Sequence, residues 1–183
     1  MNKTLAALLL IASPFAPDST LADTPTPPCE RTHSYLPVGW CQPAAADFTL
    51  EWLENKQDTP MPYHISDYIN GDHHKDEVWI LLDDQRKNWG VFAFLNQGGG
   101  QYRTIELDRF IIAEIHPQMV ELHALKNDVY ETACGKGYWK CRKNEPAKVT
   151  IKNDGFAYGP SGQGGSKIVF WRKDRFKKVS LDD

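Results

Sequence analysis

Between residues 67 and 76 the chain places carboxylate and amide oxygens at Asp67, Asn70, Asp72 and Asp76, with Gly71 among them. Oxygen side chains at such intervals around a glycine are how a short loop wraps a hard cation, calcium above all. In loops of the pattern D-x-D/N-x-D-G-x-x-D the ligands fall at positions one, three, five and nine. Asn70, Asp72 and Asp76 occupy the last three, while Tyr68 stands at position one and the aspartate comes one residue early, at Asp67. His73 takes the place of the usual glycine, whose left-handed backbone most residues avoid, and Gly71 is near enough to share that turn.

The stretch from Ser66 to Leu82 resembles the calcium loops of the FG-GAP/VCBS class, in which N-G-D-G-x-x-D precedes a strand of the V-x-x-L type. Here Asn70-Gly71-Asp72-His73 leads through Asp76-Glu77 into Val78-Trp79-Ile80-Leu81. The resemblance implies a calcium loop, with Asp67, Asn70, Asp72 and Asp76 as ligands, inside a β-rich module. A propeller is excluded, because propellers need several repeated blades and the chain has no internal repeat. The chain is similar instead to stand-alone periplasmic proteins that carry a single such loop. The competing expectation is a polar turn in which Asp67 or Asn70 caps backbone N–H groups.

Other chemistry is sparse. His73 and His74 flank the carboxylates and His64 lies upstream, so a transition-metal site is conceivable, but adjacent loop histidines usually point apart. His33, His116 and His123 have no partner visible in the sequence. There is no G-x-S-x-G elbow, no G-K-S/T loop and no H-E-x-x-H pair. Glu51, Glu54, Asp83 and Asp84 are the carboxylates from which a small cell-wall or glycan hydrolase would draw its pair, though surface charge is the simpler reading. Tyr138 and Trp139, flanked by Lys136 and Lys140, have the character of interface residues: rigid aromatics beside charge. Packing beneath their own loop is the equal alternative.

The elements that must position these groups follow from composition and periodicity. Lys3 followed by the apolar run from Leu5 to Ala12, then Thr20-Leu21-Ala22, reads as a secretory signal over residues 1–22, too short to span a bilayer. Asp23 to Pro28 forms a flexible leader, and residues 29–183 a single domain. The four cysteines, Cys29, Cys41, Cys134 and Cys141, suit an oxidising compartment, periplasmic or extracellular. Four cysteines allow three connectivities; the local pairs Cys29–Cys41 and Cys134–Cys141 each close a short loop, and neither pair has zinc-knuckle or C-x-x-C spacing. The net charge of −3 argues against a nucleic-acid partner. The basic run Arg172, Lys173, Arg175, Lys177, Lys178 reads as a wet hairpin face.

Pro43 to Lys56 has the best helical spacing, with Ala45, Phe48, Trp52 and Leu53 on one face. Apolar, aromatic and β-branched runs, alternating at 101–108 and 119–125, predict strands at 77–82, 89–95, 101–108, 119–125, 129–132, 149–151, 156–158, 167–171 and 176–181, while 109–115 fits strand or helix. The expected fold class is therefore α+β: one N-terminal helix packed on an antiparallel, meander-like sheet, with two local disulfides. The expected function is an exported, non-catalytic protein that binds another macromolecule, either a protein or a cell-envelope component, as the inhibitor or immunity-type partner of a secreted enzyme does. A calcium-stabilised structural module and a small cell-wall or glycan hydrolase are the alternatives.

Overall fold

The computed structural model describes residues 29–44, 47, 63–160 and 164–181. Their strands are β1 (Trp40–Cys41), β2 (His64–Asp67), β3 (Asp76–Asp83), β4 (Asn88–Asn96), β5 (Tyr102–Ile111), β6 (Val120–Leu125), β7 (Val129–Glu131), β8 (Lys148–Thr150), β9 (Gly155–Pro160), β10 (Lys167–Trp171) and β11 (Phe176–Ser180). All pairings are antiparallel. The first sheet runs β1-β3-β4-β5, with β2 sharing the β1 edge of β3: β1 pairs at Asp83 and Leu82, β2 at Trp79 to Asp76. The second runs β11-β10-β9-β6, and β7 and β8 form a separate ribbon.

The two sheets pack face to face. Val78, Ile80, Leu82, Trp89, Val91 and Ala93 of the first meet Val120, Leu122, Phe156, Tyr158 and Val169 of the second in one buried cluster. The strand period of two sends the alternate residues, Trp79, Leu81, Phe92 and Phe94, to the opposite face of β3 and β4. There the N-terminal segment covers them with Leu36 and Trp40, backed by Tyr35, and the Cys29–Cys41 disulfide ties that segment into a loop. β3 and β4 are thus buried on both faces, which explains why they read as near-continuous apolar runs rather than clean alternation. The β7–β8 ribbon and the segment after it cover the outer face of the second sheet through Val149 and Ile151 against Ile168 and Phe170.

The α+β class is therefore corrected to an antiparallel β-sandwich. Among the described residues there is no α-helix; Pro117–Met119 forms a 3-10 turn. Of the helix expected over residues 43–56, only Pro43, Ala44 and Asp47 lie among the described residues. Cover for the first sheet comes from a second sheet and a stapled loop, because the C-terminal half of the chain carries enough β-branched and aromatic residues to pair into four strands of its own. The ambiguous run at 109–115 ends β5 at Ile111 and then turns, with the Ile115 N–H donating to the Ile111 carbonyl (3.0 Å). Both disulfides join the expected local pairs, Cys29–Cys41 and Cys134–Cys141. No helix among the described residues is long and apolar enough to cross a membrane. The signal over 1–22 and the leader over 23–28 lie outside the described residues.

Candidate functional site

The acidic loop joins β2 to β3, so Asp67 and Asp76 face each other as the last cross-strand pair. They serve different ends. Asp76 is fully buried, and its carboxylate accepts three backbone N–H groups: Ile69 (3.1 Å), Asn70 (3.0 Å) and Asn96 (2.9 Å). It holds the loop to the start of the sheet and to the end of β4. Burial pushes its carboxyl above the ordinary carboxylate value even against these hydrogen bonds.

Asn70 and Asp72 turn toward each other. The Asn70 amide donates to Asp72 Oδ2 (2.7 Å), the Asp72 N–H donates to Asn70 Oδ1 (2.9 Å), and the His74 N–H donates to Asp72 Oδ1 (2.9 Å). Asp67 looks elsewhere: its Oδ1 accepts the Tyr68 N–H (3.1 Å), and its Oδ2 meets the Lys126 ammonium at 2.6 Å. The same ammonium reaches Asp154 Oδ2 at 3.3 Å. Burial works to raise the Asp67 carboxyl, but the bond shared with Asp154 and the Lys126 charge hold it below the ordinary value. Asp154 shifts upward, through burial and the Asp67 carboxylate beside it.

The four expected ligands thus divide into a backbone anchor (Asp76), a closed turn (Asn70 and Asp72) and an ion-paired carboxylate (Asp67). Among the described residues, no three His, Cys, Asp or Glu side chains form a metal-holding group. The backbone nevertheless follows the cation-loop pattern at one telling place: His73 has φ +68° where such loops carry glycine. Gly71, at φ +79°, is required for a second reason. A Cβ there would lie 2.7 Å from the Asn153 side chain, so the loop and the Asn153-Asp154 turn sit in direct contact.

The histidines are drawn apart. His64 bonds Glu77 through Nε2 (2.6 Å) and stacks on Trp79, while His74 lies 3.6 Å from Asp72. His33 stacks on Tyr35, and His123 meets Glu121 at 2.8 Å. Of the carboxylates considered for hydrolysis, Glu51 and Glu54 lie outside the described residues. Asp83 caps its own hairpin by accepting the Lys87 N–H (2.7 Å) and the Asn88 amide (2.6 Å).

In the second stapled loop Tyr138 and Trp139 part company. Tyr138 is 52% exposed. Trp139 is half-buried, and its indole N–H donates to both oxygens of Glu145 (3.0 and 3.1 Å). Glu145 also accepts the Arg142 N–H (3.3 Å). The loop is tied down at its base, where the Thr132 hydroxyl donates to the Pro146 carbonyl (2.7 Å) and the Ala133 N–H to the Ser180 carbonyl (2.9 Å). Gly135 passes so close to Ala147 that a Cβ would fall 1.9 Å from its carbonyl oxygen.

Lys126, Asp154 and Glu145 are the residues that sequence reasoning missed. Asp154 sits in a recognisable Asn-Asp-Gly turn, but nothing local ties it to Asp67, which lies far away in the chain. No family model, curated protein or solved structure matches this chain.

Proposed function

We propose that this protein is an exported, non-catalytic binder of another macromolecule, of the inhibitor or immunity type that pairs with a secreted enzyme. The observation that carries the reading is the Cys134–Cys141 loop. A disulfide and an internal Trp139–Glu145 hydrogen bond stiffen it, while Tyr138 stands exposed at its tip. A pre-ordered aromatic loses little side-chain entropy on binding, and such residues carry a large share of interface energy. Two disulfides suit the oxidising surroundings of an exported protein.

The test is affinity capture from envelope and secreted fractions with wild-type protein and Tyr138→Ala in parallel, followed by reconstitution with the purified partner. Tyr138→Ala is expected to weaken the reconstituted complex by at least about tenfold. Equal binding by the two proteins removes the loop from the interface and sinks the reading.

A second reading, a calcium-stabilised module, is favoured by the left-handed backbone of His73 and by the resemblance to FG-GAP/VCBS loops. Asn70 and Asp72 are the side chains left to hold the ion, since Asp67 is engaged with Lys126 and Asp76 with three backbone N–H groups. Calcium would raise the melting temperature of the wild-type protein but not of Asp72→Ala. A melt insensitive to both calcium and chelator refutes it.

A further inference from the structure

The net charge of −3 hides a strong asymmetry. Residues 134–178 contain twelve Lys and Arg but only three Asp and Glu, although the whole chain has 21 and 24. The fold gathers much of this excess around one groove. Two adjoining hollows of about 700 and 440 Å³ lie between β8 and the β10–β11 hairpin, within the size range of ligand sites. They share a floor of Pro146, Val149 and Phe170. Their walls carry Lys148, Lys152, Arg172, Lys173, Arg175, Lys177 and Lys178, with Asp174 the one carboxylate among the lining residues. Of these seven cations two are ion-paired among the described residues, Lys148 to Glu131 at 3.0 Å and Lys178 to Asp108 at 2.6 Å. The remaining charges repel one another and face solvent, which favours an anionic occupant.

The hairpin turn adds an independent observation. Lys173 (φ +52°) and Asp174 (φ +58°) are its two central residues. A two-residue turn with both φ positive is the type that Asn-Gly fills without strain, and lysine is a poor choice there. Strain kept at a surface position points to a use for the side chain, and here it places an ammonium at the mouth of the groove.

We infer that this groove binds an acidic polypeptide segment with apolar side chains among its carboxylates. The inference rests on the macromolecule-binding reading above and specifies the chemistry of the partner. Charge alone would also suit a sulfated glycan or a nucleic acid. Neither of those brings apolar side chains to cover the exposed Pro146 at the edge of the groove. Single-stranded nucleic acid is held largely by stacking on exposed rings, whereas Phe170 is only 4% exposed and the other lining ring, Trp171, is packed edge-on against Phe176 beside the inter-sheet core. A polypeptide supplies both groups on one chain. The groove also lies between the two candidate contact loops: Pro146 sits just beyond the stapled loop, and Asn153, which lines the same hollow, packs on Gly71 of the acidic loop.

The experiment is fluorescence anisotropy with a labelled peptide of glutamates interrupted by leucines, competed by an all-glutamate peptide, heparin and an oligonucleotide. Saturable binding is expected, weakening at least about tenfold between low and moderate salt. The pair Arg172→Glu with Lys173→Glu is expected to reduce affinity by about tenfold or more. Lys173→Asn alone, which suits the left-handed turn position and keeps Asp174, should also weaken binding, so that loss cannot come from unfolding. Unchanged affinity in both variants overturns the proposal. So does tighter binding of heparin or the oligonucleotide than of the peptide, or of the all-glutamate peptide than of the leucine-containing one. Tyr138→Ala separates this inference from the reading it rests on. Peptide binding retained in that variant supports the groove whatever the stapled loop does. Peptide binding lost there, with the charge-reversed pair unaffected, assigns the contact to the loop and overturns the groove.

Discussion

Asp76 shows how one side chain organises the acidic loop. Three backbone N–H groups, from Ile69, Asn70 and Asn96, converge on a carboxylate that is wholly buried. Asp76→Ala removes the acceptor and leaves three donors without partners, that of Ile69 buried and those of Asn70 and Asn96 partly buried. An orphaned buried donor costs about 1–3 kcal/mol and a partly buried one less, so the variant is expected to lose roughly 2 kcal/mol or more in a urea melt. A loss below about 1 kcal/mol contradicts the anchoring role. Asn70 and Asp72 bear a lighter load: they bond to each other and to exposed backbone, where water replaces a lost partner cheaply. At this scale the residue types were legible and their partners were not. The carboxylates stand plainly in the sequence, but Asp67 finds Lys126 and Asp154 only because β2, the end of β6 and the turn before β9 meet in space.

The hairpins show how local chemistry sets the elements. Arg172 closes on Arg175 (2.9 Å) across the two residues Lys173 and Asp174, both left-handed. Lys173→Asn with Asp174→Gly relieves that conformation and is expected to stabilise the fold by about 1 kcal/mol, seen as a raised melting temperature. A lowered melting temperature would show that the native turn is unstrained. The stapled elements make the opposite contribution. Cys134 and Cys141 lie seven residues apart and Cys29 and Cys41 twelve, short loops for which chain entropy predicts roughly 2–3 kcal/mol each. Cys134→Ser with Cys141→Ser should lower the melting temperature and free the Tyr138 loop. Cys29→Ser with Cys41→Ser should loosen the cover over Trp79 and Phe94, seen as increased near-ultraviolet and tryptophan fluorescence changes on mild heating. The strands were almost all legible, from 77–82 through 176–181, because apolar alternation and turn residues are local signals. β1 and β2 were not, since β1 has two residues and β2 four, too few to establish a period.

Across the whole molecule, one cluster bolts the two sheets together. Asp108 on β5 accepts from Lys178 Nζ (2.6 Å) and Lys167 Nζ (3.1 Å), and from the Tyr158 hydroxyl, so the edge of the first sheet is tied to three elements of the second. Burial works to raise the Asp108 carboxyl, but the Lys178, Tyr158 and Lys167 donors hold it below its ordinary 3.8. A carboxyl depressed in the folded chain binds its proton later than in the unfolded one. Its stabilisation is therefore complete above the ordinary value and disappears as pH falls through the folded one. Asp108→Asn should lower stability at neutral pH and flatten the acid limb of the melting-temperature profile below about pH 4; an acid limb identical to wild type refutes this. Sequence alone determined most of the strand-forming segments, the turns between them and the carboxylates of the acidic loop, because each depends on neighbours within a few residues. Only the tertiary structure decided that the strands split into two sheets, that Lys126 answers Asp67, and that cations scattered from Lys148 to Lys178 wall one groove. Those outcomes depend on which surfaces remain to be buried once the local elements exist, and on charges brought together from distant parts of the chain.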